Sequence, residues 1–180
     1  AMAAYGDMLH WSNNLSGVVP QISLVLGVCA GSAAMIAASA DFVVMSGKGE
    51  FYLTTADAAS ASSAEEAAKT GVAHIVETEE ADAIKAARTL ISMLPSNNLS
   101  APPVCDFSAV SGAEAALSAA VADNGAADIF EIAKNVVDAD SLVELQKEYS
   151  TCGAKVGLAT LAGSTVGVVA ASNGGTICSG

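Results

Sequence analysis

Apolar positions recur along the chain with two periods, one helical and one extended. Tyr5, Met8 and Trp11 are spaced by three, which predicts a helix over residues 4–15, ended by Gly17. Residues 21–26 form a short apolar run with β-branched members between Pro20 and Gly27, the mark of a buried strand. A tight link of small residues follows, then a helix from about residue 31 to 39. Strands are expected at 42–45 and 51–53, on either side of the turn Ser46-Gly47-Lys48-Gly49. Ser62 or Ser63 can cap a helix at 63–69, with Glu65 and Glu66 in its first turn and Gly71 beyond its end. A short strand at 72–76 leads to a helix capped by Thr78. Ile84, Ala87, Ile91 and Leu94 form its apolar stripe, and Pro95 stops it.

The second part of the chain reads differently. Residues 96–107 are rich in Asn, Ser and Pro and form a connector. Helices are expected at 113–122 and 128–137, the latter with Ile129, Ile132, Ala133, Val136 and Val137 on one face. Residues 142–145 suggest a strand. Residues 155–159 and 165–170 read as a hairpin around Leu161-Ala162-Gly163-Ser164. A hairpin alone is marginal, so it needs a sheet earlier in the chain or an edge from another chain.

Composition narrows the class. Apolar residues make up 52% of 180, yet aromatics are only 4%, so the core is built from small side chains that bury little area each. The chain carries 7 Lys and Arg against 19 Asp and Glu, a formal charge of -12. That leaves no positive footprint for nucleic acid or for an anionic membrane surface. Backbone N–H groups can still bind an anion locally. Cys29, Cys105, Cys152 and Cys178 form no CxxC pair and suggest neither a disulfide scaffold nor a zinc site. No metal is implied. The apolar run 18–40 is interrupted by Pro20, Gly27 and Gly31 and reads as a strand and a helix, not a membrane span. With no cationic leader, the expected compartment is the cytoplasm. Ala1, before Met2, reads as the remnant of an expression tag.

The informative stretch runs from Pro20 to Met45: a strand, a glycine, a link of small residues and a helix starting near Gly31. The first N–H groups of a helix lack internal partners, and the helix dipole adds positive potential there. Small residues at Gly31, Ser32 and Ala33 let a substrate carbonyl approach the backbone, so these amides suit an oxyanion hole for a thioester enolate. Close packing alone produces the same pattern.

The motifs Tyr5-Gly6-Asp7, Ser16-Gly17-Val18-Val19-Pro20-Gln21-Ile22-Ser23, Gly27-Val28-Cys29-Ala30-Gly31-Ser32-Ala33 and Asp41-Phe42-Val43-Val44-Met45 occur in that order. Phe51-Tyr52-Leu53-Thr54, Gly71-Val72-Ala73-His74, Leu94-Pro95-Ser96-Asn97-Asn98 and Ser141-Leu142-Val143-Glu144-Leu145-Gln146 follow. With these motifs the chain resembles the carboxyltransferase (beta) subunits of biotin-dependent acyl-CoA carboxylases and the related decarboxylases, within the crotonase-like superfamily. The resemblance covers nearly the whole chain but only part of a full subunit. It implies an α/β, incomplete crotonase-like (ClpP/crotonase) fold, with stacked β-sheet and surrounding helices. It divides the chain into the end of a first carboxyltransferase half at 2–100, a connector with a short helix at 101–127, and the start of a second half at 128–180.

The resemblance implies transfer of a carboxyl group between carboxybiotin on a partner carrier and an acyl-CoA. Backbone N–H groups of Gly31 and Ser32 would form the oxyanion hole, with Cys29, Ala30 and Ala33 near the acyl-CoA. The missing carboxyltransferase segments would come from another chain or from a homo-oligomer, and the chain would be inactive alone. The alternative is a non-catalytic scaffold or assembly subunit derived from the same family. Three departures stand out: Ser32 replaces a second glycine, Thr55-Ala56-Asp57 replaces a glycine-proline-aspartate motif, and the region 61–69 is shortened.

Other reactive side chains have simpler roles. His74 and Cys29 are expected to be structural, His10 to lie on the surface or pack, and Asp41 to hold a turn. The Glu79, Glu80 and Asp82 cluster and the cations Lys85 and Arg88 read as solvated, with Lys85 near enough to Asp82 to pair weakly.

Overall fold

The computed structural model describes residues 2–53, 63–122, 128–149 and 154–171. Thr54 to Asp57, Ser62, Cys152, Cys178 and the tail from residue 172 lie outside the described residues. The chain divides into two compact units, Ala1–Ala101 and Pro102–Gly180.

The first unit opens with α1 (Met2–Leu15). Gly17 ends it at φ 73°, and the N–H groups of Val18 and Val19 return to the Leu15 carbonyl. β1 (Ile22–Val25) and β2 (Val28–Ala30) follow with only Leu26 and Gly27 between them, and each joins a different sheet. α2 (Ser32–Ala38) leads to β3 (Phe42–Ser46) and β4 (Glu50–Tyr52). β3 pairs in parallel with β1, matching Ile22 to Phe42, and β4 pairs in parallel with β2, matching Cys29 to Phe51. α3 (Ala64–Lys69), β5 (Ile75–Glu77) and α4 (Glu80–Met93) complete the unit, with β5 parallel to β3. Gly49 allows the turn between β3 and β4: a Cβ there would stand 2.9 Å from the Val25 carbonyl oxygen and 3.0 Å from that of Ser46.

The core sits around β3. Val43, Val44 and Met45 are buried there beside Ala34, Leu90 and Ala83. The predicted stripe on α4 is turned by one residue. Ala83, Ala87, Leu90 and Met93 are buried, whereas Ile84 and Ile91 are exposed. The small Ala83 and Ala87 let the helix sit close on β3 and β5, and Leu90 and Met93 complete that face. Two other expectations are corrected. The N-cap position of α4 is Glu79, without a side-chain capping bond, so Thr78 is not the cap. The strand expected at 72–76 starts only at Ile75: the Ala73 N–H turns to the Ala67 carbonyl, and the His74 N–H is the first to reach β3, at the Val43 carbonyl. α3 follows its sequence signals: Ser63 accepts the Glu66 N–H.

The second unit contains α5 (Ala113–Ala122), α6 (Ile129–Lys134), β6 (Val143–Leu145), β7 (Ala154–Leu161) and β8 (Ser164–Ala171). The last three form an antiparallel sheet in that order, so the hairpin does lie on an earlier strand. Ala162 and Gly163, at φ 49° and 78°, make the two-residue turn. The Asp138 carboxylate accepts the N–H groups of both, at 3.0 and 2.8 Å. α6 is shorter than the expected 128–137. Asp128 caps it by accepting the Phe130 N–H, and the chain leaves the helix after Lys134, so Val137 is buried while Val136 is exposed.

Candidate functional site: the turn between β2 and α2

The link of small residues is in part a strand. Val28, Cys29 and Ala30 form β2 because Glu50, Phe51 and Tyr52 stand beside them. Gly31 follows as the N-cap residue of α2, at φ 60° and ψ −129°, a conformation that suits glycine. A Cβ on Gly31 would meet nothing within 4 Å, so the approach to this turn is open.

The ladder uses one of the expected donors. The Gly31 N–H donates to the Tyr52 carbonyl at 3.0 Å, so it does not face a ligand as the sequence suggests. The sequence reading missed the pairing of β2 with β4. Its only local signal is the matched apolar content of Val28-Cys29-Ala30 and Phe51-Tyr52. The first helical bond of α2 runs from the Met35 N–H to the Gly31 carbonyl at 3.1 Å. The N–H groups of Ser32, Ala33 and Ala34 precede it and have no backbone acceptor among the described residues, but Ala34 is fully buried. The available donors of this turn are therefore those of Ser32 and Ala33.

A groove of about 360 Å³ lies next to the turn. Cys29 and Ala33 line it, together with Tyr5 and Met8 of α1 and the chain from Ser23 to Val28. Ala30 and Gly31 are exposed at its side. Cys29 is a free thiol, half-buried, and burial pushes its pKa up. A raised pKa lowers the thiolate fraction, which fits a packing role and not a nucleophile.

The other reactive groups are occupied elsewhere. His74 Nδ1 accepts the Val43 N–H at 3.1 Å, and burial holds its pKa below the usual value. That bond requires the neutral ring and ties His74 to the sheet. Asp41 accepts the Gln21 N–H at 2.8 Å and so fixes the start of β1. The His10 ring lies edge-on to Trp11 on the exposed side of α1. Lys85 and Arg88 are exposed on α4. No group of three or more potential metal ligands occurs among the described residues. Among the same residues, no helix is long and apolar enough to cross a membrane.

Comparison with known proteins identifies the architecture. Residues 1–178 match the family model described as the carboxyl transferase domain. The chain is 31% identical to the propionyl-CoA carboxylase beta chain of Saccharopolyspora erythraea, over 94% of this chain and 35% of that one. It is also 31% identical to the methylmalonyl-CoA decarboxylase subunit alpha of Propionigenium modestum, over 94% of this chain and 36% of that one. Among solved structures, it is similar to the hexameric transcarboxylase 12S with methylmalonyl-coenzyme A bound: TM-score 0.85, 27% identity, 95% of this chain and 36% of that one. The chain thus spans about a third of the length of the curated relatives it matches. It belongs to the carboxyl transferase domain family, which it shares with these acyl-CoA carboxylase and decarboxylase subunits, and its fold is a partial crotonase-like fold.

Proposed function

We propose that this chain supplies the acyl-thioester side of an acyl-CoA carboxyltransferase. In this reading the N–H groups of Ser32 and Ala33 donate to the thioester carbonyl oxygen as it gains negative charge in the enolate. The observation that carries it is this pair of uncommitted amides, at the start of α2 beside the groove lined by Cys29 and Ala33. Gly31 contributes room instead of a donor, and Ala30 leaves the approach open. One donor of this kind contributes about 3 kcal/mol of transition-state stabilisation. The relatives' acyl-CoA names support the thioester as the ligand.

The carboxyl group moves between the α-carbon of the acyl-CoA and carboxybiotin, presented by a biotin carrier on a partner; decarboxylation is the reverse direction. The turn residues are small and neutral and act on the thioester alone. Water must be excluded from the enolate. Walls for that come from carboxyltransferase segments outside this sequence, or from a homo-oligomer. The reading places the chain in the cytoplasm, in keeping with the free thiol of Cys29.

A second reading, a non-catalytic scaffold or assembly subunit of the same family, is favoured by one observation: the Gly31 N–H is spent on Tyr52. Amide NMR separates the two. The ¹⁵N-labelled chain is titrated into the millimolar range with propionyl-CoA and, in parallel, with free CoA, which lacks the thioester. The carboxyltransferase reading expects the Ser32 and Ala33 resonances to move with propionyl-CoA and not with CoA. Identical responses to the two ligands, or none, overturn it in favour of the scaffold.

A further inference from the structure

The chain enters its second unit through residues 102–110, which have no regular secondary structure. Val104 and Phe107 on this segment are exposed. Two backbone bonds tie it down. The Cys105 N–H donates to the Gly163 carbonyl at 2.8 Å, and the Ser108 carbonyl accepts the Ala139 N–H at 2.8 Å. The two bonds bracket the peptide bond between Phe107 and Ser108. The side chains of Val104 and Phe107 lie against the β7–β8 turn: a Cβ on Gly163 would stand 3.2 Å from each.

Both anchor points lead to one carboxylate. Asp138 is buried, and it accepts the N–H groups of Ala162 and Gly163 at 3.0 and 2.8 Å. This holds the Gly163 peptide in place, and with it the carbonyl that takes the Cys105 N–H. The second anchor, Ala139, is the residue after Asp138. Asp138 is itself fixed, because its N–H donates to the Thr160 carbonyl at 2.9 Å and its carbonyl accepts the Ser141 hydroxyl at 2.8 Å. The sheet behind the turn depends less on this carboxylate. β8 pairs with β7 from Ala154–Ala171 to Leu161–Ser164, and β6 pairs along the other edge of β7.

We propose that residues 104–108 form a strap latched by Asp138, so that freeing this carboxylate from the turn opens the strap while β7 and β8 stay paired. The buried member of the device is the latch, and the exposed member is the strap that it holds. A protease must draw several residues of extended chain into its cleft. It therefore reaches the bond after Phe107 only when both anchors let go, and its rate reports the open population. The device lies in the second unit and the thioester turn in the first, so neither reading rests on the other.

The test follows chymotrypsin cleavage after Phe107 in the native full chain, by intact mass. Asp138→Asn keeps the side chain's size but turns an NH₂ group toward one of the two N–H donors, so it frees the turn. Cleavage should become about tenfold faster or more. Cys105→Pro removes the strap's own donor and leaves the clamp, and it should speed cleavage in the same way. The double variant should be cut no faster than the faster single one, because both changes open one latch. Asp140→Asn removes the same charge from an exposed neighbour at φ 57°, a conformation that asparagine accepts, and should be cut at the parent rate. Amide exchange across β7 and β8 should stay slow in every variant. Parent-rate cleavage of Asp138→Asn or of Cys105→Pro overturns the proposal, as does a double variant whose acceleration is the product of the two. Equal acceleration by Asp140→Asn overturns it too, and so does sheet exchange that rises in step with cleavage.

Discussion

The two units of this chain solve the same problem, burying small side chains, in opposite ways. The second builds an antiparallel sheet from neighbouring segments, and its β7–β8 turn is held by Asp138. The first builds two parallel sheets from strands that are distant in sequence, with β1 and β2 at their edges among the described residues. A local hairpin closes on itself, whereas a parallel turn depends on the turns before and after it. The candidate site belongs to the parallel kind: its amides lie where a strand of one turn meets the helix that follows.

Glycine substitutions test this contrast with the largest expected effect. Gly163 and Gly31 both have positive φ, but a Cβ on Gly163 would collide with the Cys105 carbonyl oxygen, while one on Gly31 would meet nothing. Gly163→Ala should destabilise the second unit by about 2–4 kcal/mol, combining backbone strain with the collision. Gly31→Ala should cost the first unit about 1–2 kcal/mol, from strain alone. Denaturant melts followed by probes in each unit check both values; equal losses would mean that the packing around the Asp138 clamp is misread.

Acid provides a smaller, ordered effect. Burial lowers the pKa of His74, so the folded first unit binds fewer protons there than its unfolded chain. That contribution is complete above about pH 6.5 and is lost as pH falls through the lowered folded value, when protonation breaks the bond from the Val43 N–H. Burial pushes the Asp138 carboxyl up, but hydrogen bonds from the Gly163 N–H, Thr160 and the Ala162 N–H outweigh it and hold the pKa low. Its contribution is present above the usual aspartate value of about 4 and is lost only as pH falls further. Hydrogen exchange across an acid series should therefore show the strands around Val43 loosening before the β7–β8 turn. His74→Gln should flatten the first step and leave the second.

Local signals made much of this fold legible in the sequence. The spacing of Tyr5, Met8 and Trp11 gave α1, Ser63 with Glu65 and Glu66 gave α3, and Ala162-Gly163 gave the hairpin turn. Each of these depends on residues close together in sequence. β2 was not legible as a strand because Val28, Cys29 and Ala30 acquire their partner only through β4, and the loss of the Gly31 amide follows from the same pairing. The buried face of α4 was misjudged for a related reason. Ile84 and Ile91 are the more hydrophobic choice, but closeness to β3 selects Ala83 and Leu90 beside the expected Ala87. The turn of small residues is legible in the sequence, while which of its amides lack a backbone partner depends on the sheet.

The ¹³C resonance of the thioester carbonyl tests the central claim most directly. Propionyl-CoA labelled at that carbon is added to the chain and to Ser32→Pro. The substitution removes one donor at the first helical position, where proline is tolerated. Two amide bonds to the oxygen predict a downfield shift on binding to the parent chain and roughly half that shift with the variant. A carbonyl resonance that stays at its free position in both, with ligand bound, would contradict the account.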